Sequence, residues 1–246
     1  MPRRQPPKGD SGFDKIVLTC EHGGNEIPRE FARVFAGNRS VLKTHRGLDI
    51  GALAVATSLS QALSTPLFHV TISRLLIDLN RSLHHPKLFS EFTRDLDRDS
   101  RAEIIKAYYL PHRHTVERWI EREVKRGNRV MHIGVHSFTP VLNDEVRNAD
   151  IGILYDPRRR GEKWLASRFA ALAKTHSESN HWRVRKNYPY HGAADGFTTA
   201  LRRKFTATKY FGIELELNQA IVGTSSGRRA MSTLMAAVLD QMAQPG

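Results

Sequence analysis

Short aliphatic and β-branched runs alternate with stretches of helical period along almost the whole chain, and this alternation constrains the fold more than any other feature. The run Lys15-Ile-Val-Leu-Thr-Cys20, followed by turn residues, reads as a buried strand. Further strands are predicted at 67–72, 75–79, 129–135, 151–155, 182–185 and 210–217. Helical patterns occupy 29–36, opened by Pro28, and 49–63, with Asp49 where an N-cap would stand. Others follow at 100–126, 161–174, 197–205 and 225–242. Pro111 removes an amide donor inside the third of these, so two helical pieces are expected there. Residues 83–99 are polar and lack a period, which predicts a long surface loop of the kind that often covers an active site. The pattern as a whole predicts a three-layer α/β/α sandwich around a mixed, mainly parallel central sheet.

Composition narrows the class. At 246 residues the chain can build one full-sized domain, expected over 13–246, and the Pro-, Lys- and Arg-rich 1–12 reads as a disordered arm. With 40% hydrophobic and 26% charged residues, and no apolar run near the roughly 20 residues of a membrane span, a soluble cytoplasmic protein with no membrane partner is expected. The single cysteine, Cys20, excludes an internal disulfide and any paired-cysteine zinc site, so a metal would have to use His and carboxylates. Lys and Arg outnumber Asp and Glu by 38 to 25, a charge that suits anionic substrates, acidic partners or nucleic acid. The short runs Arg158-Arg-Arg160 and Arg202-Arg-Lys204 have no nucleic-acid-reading motif around them, and read as solvated helix faces.

Loops at the carboxyl ends of strands are where open α/β sheets gather their ligands. His22 follows the first strand, His136 follows the run ending at Val135, and Glu216 lies near the end of 210–217. The two imidazoles are candidate zinc ligands, and either Glu26 or Asp49 could complete the set. His84, His85, His112 and His114 have no such placement and read as ordinary surface residues. Glu214 and Glu216 share one face of their strand; Glu216, nearer its end, is the functional candidate, and Glu214 is assigned to a structural pair. The segment 73–81 concentrates Arg74, Asp78, Asn80 and Arg81 around apolar residues, and an arginine fork there could hold a carboxylate.

These residues carry a resemblance. Glu21-His-Gly-Gly-Asn-Glu-Ile-Pro28, Leu48-Asp-Ile-Gly-Ala52, Ser73-Arg-Leu-Leu-Ile-Asp-Leu-Asn-Arg81, His136-Ser137 and Leu215-Glu-Leu-Asn-Gln219 occur in an order that resembles the N-formylglutamate amidohydrolase family. Asn187-Tyr-Pro-Tyr190 with Gly192 and Asp195-Gly196 extends it and implies Asn187 and Tyr190 as substrate-binding residues. The Asp-Leu-Asn-Arg segment is similar to that of the zinc carboxypeptidase and aspartoacylase group, which implies Asn80 and Arg81 as carboxylate anchors and Arg74 at the oxyanion. The same resemblance implies a phosphorylase/hydrolase-like fold, one zinc ion, Glu216 as general base, and a small anionic N-acyl amino acid such as N-formylglutamate as substrate. A zinc exopeptidase acting on peptide or cell-wall fragments would use the same site. That group places its ligand Glu three residues after the first His, whereas Glu26 stands four after His22, so Asp49 remains an alternative ligand.

Overall fold

The computed structural model describes residues 13–176 and 182–243, so the arm expected over 1–12 lies outside the described residues. Strands β1 (Lys15–Cys20), β2 (Leu67–His69), β3 (Val130–Phe138), β6 (Ile151–Leu154), β7 (Val184–Lys186) and β8 (Tyr210–Asn218) form a sheet in the order β2-β1-β3-β8-β6-β7. The hairpin β4 (Val141–Leu142) and β5 (Glu145–Val146) stands outside it. All neighbours in the main sheet are parallel except β6 and β8, so the sheet is mixed and mainly parallel, as the alternation predicts.

Side-chain alternation along the central strands decides the layers. Met131, Ile133 and Val135 of β3, with Phe211, Ile213, Leu215 and Leu217 of β8, face one way. They pack against helices α1 (Ala52–Ala62), α4 (Arg160–Thr175) and α7 (Ser225–Ala243), with the short α6 (Gln219–Val222) leading into the last. The opposite face carries a smaller apolar cluster near its start, where Val17, Val130 and Tyr210 meet Val116 and Ile120 of α3 (Leu110–Lys125) and Phe197 and Leu201 of α5 (Phe197–Lys204). Towards the strands' carboxyl ends that face carries Gly134, His136, Glu214 and Glu216 instead, and His136 is in register with Glu216. No helix among the described residues is long and apolar enough to cross a membrane.

Several expectations are corrected. The span 29–36 contains a 3-10 helix, Arg29–Phe35, rather than an α-helix. Strand β2 stops at His69, and Ile72 contributes only an isolated bridge to Glu26. Residues 75–79 are not a strand: Leu75, Leu76, Ile77 and Leu79 are buried in a second core with Phe31, Phe35, Leu88 and Ile104, held by turn bonds such as Leu76 N–H to Ser73 O and by Asp78 N–H to Leu88 O of the following loop. An apolar run buried on all sides looks like a strand in sequence whether or not a ladder partner exists. The loop expected over 83–99 ends at Asp97, where the next helix begins; it packs through Leu88, Phe89 and Phe92 into that second core and is not among the residues lining the site cavity. At Pro111 the helix does not split. From α2 (Arg98–Ile104) it continues through a π-helical segment, Ile105–Tyr109, into α3, and Leu110 N–H donates to Ile105 O. The widened turn accommodates the proline's missing donor.

Asp49 does not cap α1. The cap position is Gly51, at φ +82°, where a Cβ would come within 2.3 Å of Val222 O, so glycine is needed there on both counts. Arg159 and Arg202 are not solvated either: Arg202 Nε donates to both carboxylate oxygens of the fully buried Glu162, at 3.0 and 3.1 Å.

Candidate active site

His22 leaves the end of β1 and His136 projects from β3. The loop ahead of α1 brings Asp49 between them, its N–H donating to His22 O at 3.0 Å. Asp49 Oδ2 lies 2.8 Å from His136 Nδ1 and 3.3 Å from His22 Nδ1, and all three residues are buried. The other nitrogen of each ring meets a second carboxylate: His22 Nε2 lies 2.7 Å from Asp78 Oδ1, and His136 Nε2 lies 3.3 Å from Glu21 Oε2. Arg74 spans the cluster, donating from Nη1 to Asp49 at 3.2 Å and from Nη2 to Asp78 at 3.0 Å.

Donor atoms of His22, Asp49 and His136 all lie within 4.8 Å of one another. Two imidazoles and a carboxylate are the donor type that zinc takes in catalytic sites, and a carboxylate on the far nitrogen of each imidazole is the usual way such ligands are oriented. The residues therefore fit the metal. Glu26 does not join them: it is exposed and accepts a hydrogen bond from Thr71 Oγ1 at 2.8 Å.

A cavity of about 200 Å³ opens beside this cluster, lined by His22, Asp49, His136, Arg74, Asn80, Arg81, Tyr190, Glu214 and Glu216 among others. Glu214 Oε1 accepts from Thr198 Oγ1 at 2.6 Å, a hydroxyl partner rather than the basic one expected for a structural pair. Glu216 Oε2 is buried with no hydrogen-bond partner among the described residues. Burial pushes the Glu216 carboxyl up to about 8; His136 opposes the shift, Asp49 and Glu214 add to it, and Arg74 opposes it. Burial would also raise Asp49, but the charge on His22, hydrogen bonds from His136 and His22, and Arg74 hold it well below the carboxylate range. The mirror of that effect, against burial, holds His136 well above the usual imidazole range through Asp49 and Glu21.

The remaining sequence candidates divide. Asn80 lines the cavity with Oδ1 accepting from Phe197 N–H at 2.6 Å, so its NH2 is the end left to offer. Arg81 also lines it, one nitrogen donating to Asp195 O at 3.0 Å. Tyr190 stands at the wall, its hydroxyl accepting from Arg147 Nη1 at 3.0 Å. Asn187 is outside the cavity lining: its Oδ1 accepts from Tyr155 and Gly192 N–H, at 3.0 and 3.2 Å, and shapes the loop that carries Tyr190. Sequence reasoning passed over Glu21 and took His112 for a surface residue, yet both are buried and His112 Nε2 lies 3.3 Å from Glu21 Oε1. The available signal was Glu21 itself, a carboxylate directly following a wholly buried stretch of strand.

A family model described as N-formylglutamate amidohydrolase matches residues 14–223. Among solved structures, the gene product Atu2144 from Agrobacterium tumefaciens is similar with a TM-score of 0.76 at 27% identity, over 96% of this chain and 94% of that one. An N-formylglutamate amidohydrolase from Ralstonia eutropha JMP134 is similar in fold, with a TM-score of 0.62 at 17% identity over 92% of this chain and 93% of that one. No curated protein matches the sequence. The family match takes in the sheet and every residue of the buried cluster, and the chain belongs to the N-formylglutamate amidohydrolase family.

Proposed function

We propose that this member of an amidohydrolase family uses one zinc ion, held by His22, His136 and Asp49, to cleave the amide of a small N-acyl amino acid, with N-formylglutamate the first substrate to try. The observation that carries the reading is the unpartnered Glu216 oxygen, buried in the same cavity wall as that donor set. A partnerless buried carboxylate is costly unless it serves a reaction. When bound, zinc supplies the Lewis acidity that polarises an amide carbonyl and acidifies water, and its charge draws a neighbouring carboxyl such as Glu216 into the ionised form.

Glu216 accepts a proton from the attacking water and returns it to the amide nitrogen as the carbon–nitrogen bond breaks, giving a carboxylic acid and a free amino acid. Arg74 has two nitrogens on Asp49 and Asp78; a guanidinium carries five N–H donors, and the remainder serve the oxyanion. Asn80 and Arg81 anchor the substrate carboxylate, with Tyr190 beside them. A cavity of about 200 Å³ suits one acylated amino acid, whereas a peptide or cell-wall fragment would have to extend beyond it.

Metal analysis of the purified chain, with turnover measured on N-formyl, N-acetyl and peptide substrates, tests this. One zinc per chain is expected, with activity lost on chelation and greatest on N-formyl amino acids. Asp49→Asn should weaken zinc strongly and Glu26→Gln should leave it unchanged. Full turnover in metal-free protein would overturn the reading.

A further inference from the structure

Glu21 and His112 have no part in the reaction as described, yet both are buried. Glu21 is 1% exposed and His112 8%. One Glu21 oxygen faces His136 Nε2 and the other faces His112 Nε2, each at 3.3 Å, so the carboxylate bridges two imidazoles. His112 comes from the first turn of α3, immediately after the π-helical segment, and its ring also lies 5.9 Å from that of Phe197. A buried carboxylate needs its oxygens satisfied, and here two rings from different elements do so.

The geometry of His136 gives the bridge a use. With Nε2 on Glu21, the Nδ1 edge is the one turned to Asp49, at 2.8 Å. A proton kept on Nε2 leaves the Nδ1 lone pair free for a metal, and the bridge also fixes the ring's rotation about its bond to the strand. His22 has the corresponding support in Asp78, but Asp78 is shared with Arg74, whereas the support behind His136 is Glu21, itself held by His112.

We propose that Glu21, held by His112, is a positioning residue that orients His136 as a zinc ligand, so that the start of α3 sets the metal affinity of a site it does not touch. The proposal rests on the zinc reading above, and its test is separable from the test of that reading. Zinc affinity is measured on the full chain by competition with a chromophoric chelator, and Co²⁺ is loaded in place of zinc to record its absorption bands. Glu21→Gln should weaken zinc about 10- to 100-fold and shift the cobalt bands. His112→Asn should weaken it less, and the double variant should bind no worse than Glu21→Gln alone, because His112 acts through Glu21. Glu123→Gln, a buried carboxylate on the same helix that bonds Arg126 and Asn128, is the control for general loosening and should leave both readouts unchanged.

Wild-type zinc affinity and cobalt bands in a folded Glu21→Gln protein would overturn the proposal and leave the zinc reading standing. A wild-type chain that binds no zinc would overturn both. Should Glu21→Gln not accumulate as folded protein, His112→Asn decides alone, and an affinity equal to wild type would count against the proposal.

Discussion

Glu214 and Glu216 occupy one face of β8 two residues apart, and their surroundings separate them. Glu214 has a hydroxyl partner in Thr198, while Glu216 Oε2 has none among the described residues and its carboxyl is raised to about 8 by burial first of all. Glu216→Gln should therefore retain zinc and substrate binding and lose about 10²- to 10⁴-fold in kcat with little change in KM, as measured by steady-state kinetics on a verified substrate. Glu214→Gln should keep most of the turnover, since the glutamine oxygen can still accept from Thr198. Loss of turnover in folded, zinc-loaded Glu214→Gln with normal turnover in Glu216→Gln would reverse the two roles. The preference for Glu216 was available from its place near the strand end, but the partner of Glu214 was not, because Thr198 sits on a different element.

At the scale of elements, the cavity depends on α4 and α5 being tied to β8. Glu162 in the first turn of α4 is fully buried and accepts from Arg202 of α5 and from the backbone N–H of Asp156 and Gly212. Arg202 in turn donates to Gly212 O at 2.7 Å and to Gly192 O in the Tyr190 loop. Arg202→Ala leaves Glu162 with Arg159 Nε at 3.4 Å and the two backbone N–H groups, so it should destabilise the fold by about 1.5–3 kcal/mol, read as a lower urea midpoint. A change below about 1 kcal/mol would mean that water or another donor takes over. In sequence these arginines look like a solvated basic run, because a helix's charge pattern does not say which residue faces a buried carboxylate on its neighbour. The stretch 75–79 misleads for a related reason: its hydrophobicity reports burial, and only tertiary packing distinguishes a strand from a buried turn.

For the molecule as a whole, the sheet encloses His132, fully buried between Thr19 Oγ1 at 2.8 Å and Tyr210 Oη at 2.7 Å. Burial first of all depresses it to about 4, against an ordinary value of 6.5, although Glu21 pulls the other way. Between those two values the unfolded chain binds the proton and the folded one does not. Its contribution to stability is therefore complete above pH 6.5 and is lost as pH falls towards 4, about 3 kcal/mol in all. Urea unfolding at pH 7 and pH 4.5 should show a smaller stability difference in His132→Gln than in wild type; equal differences would remove His132 as the cause. The sequence by itself determined the strand and helix alternation, the mixed parallel sheet, and the placement of His22, His136 and Glu216 near strand ends, since each follows from local periodicity and chain order. Only the tertiary structure decided that Asp49 rather than Glu26 joins the two histidines, that Asn187 shapes a loop, and that Glu21 and His112 stand behind His136. Those outcomes depend on contacts between residues far apart in the chain, 87 positions in the case of Asp49 and His136, and local pattern carries no information about such pairs.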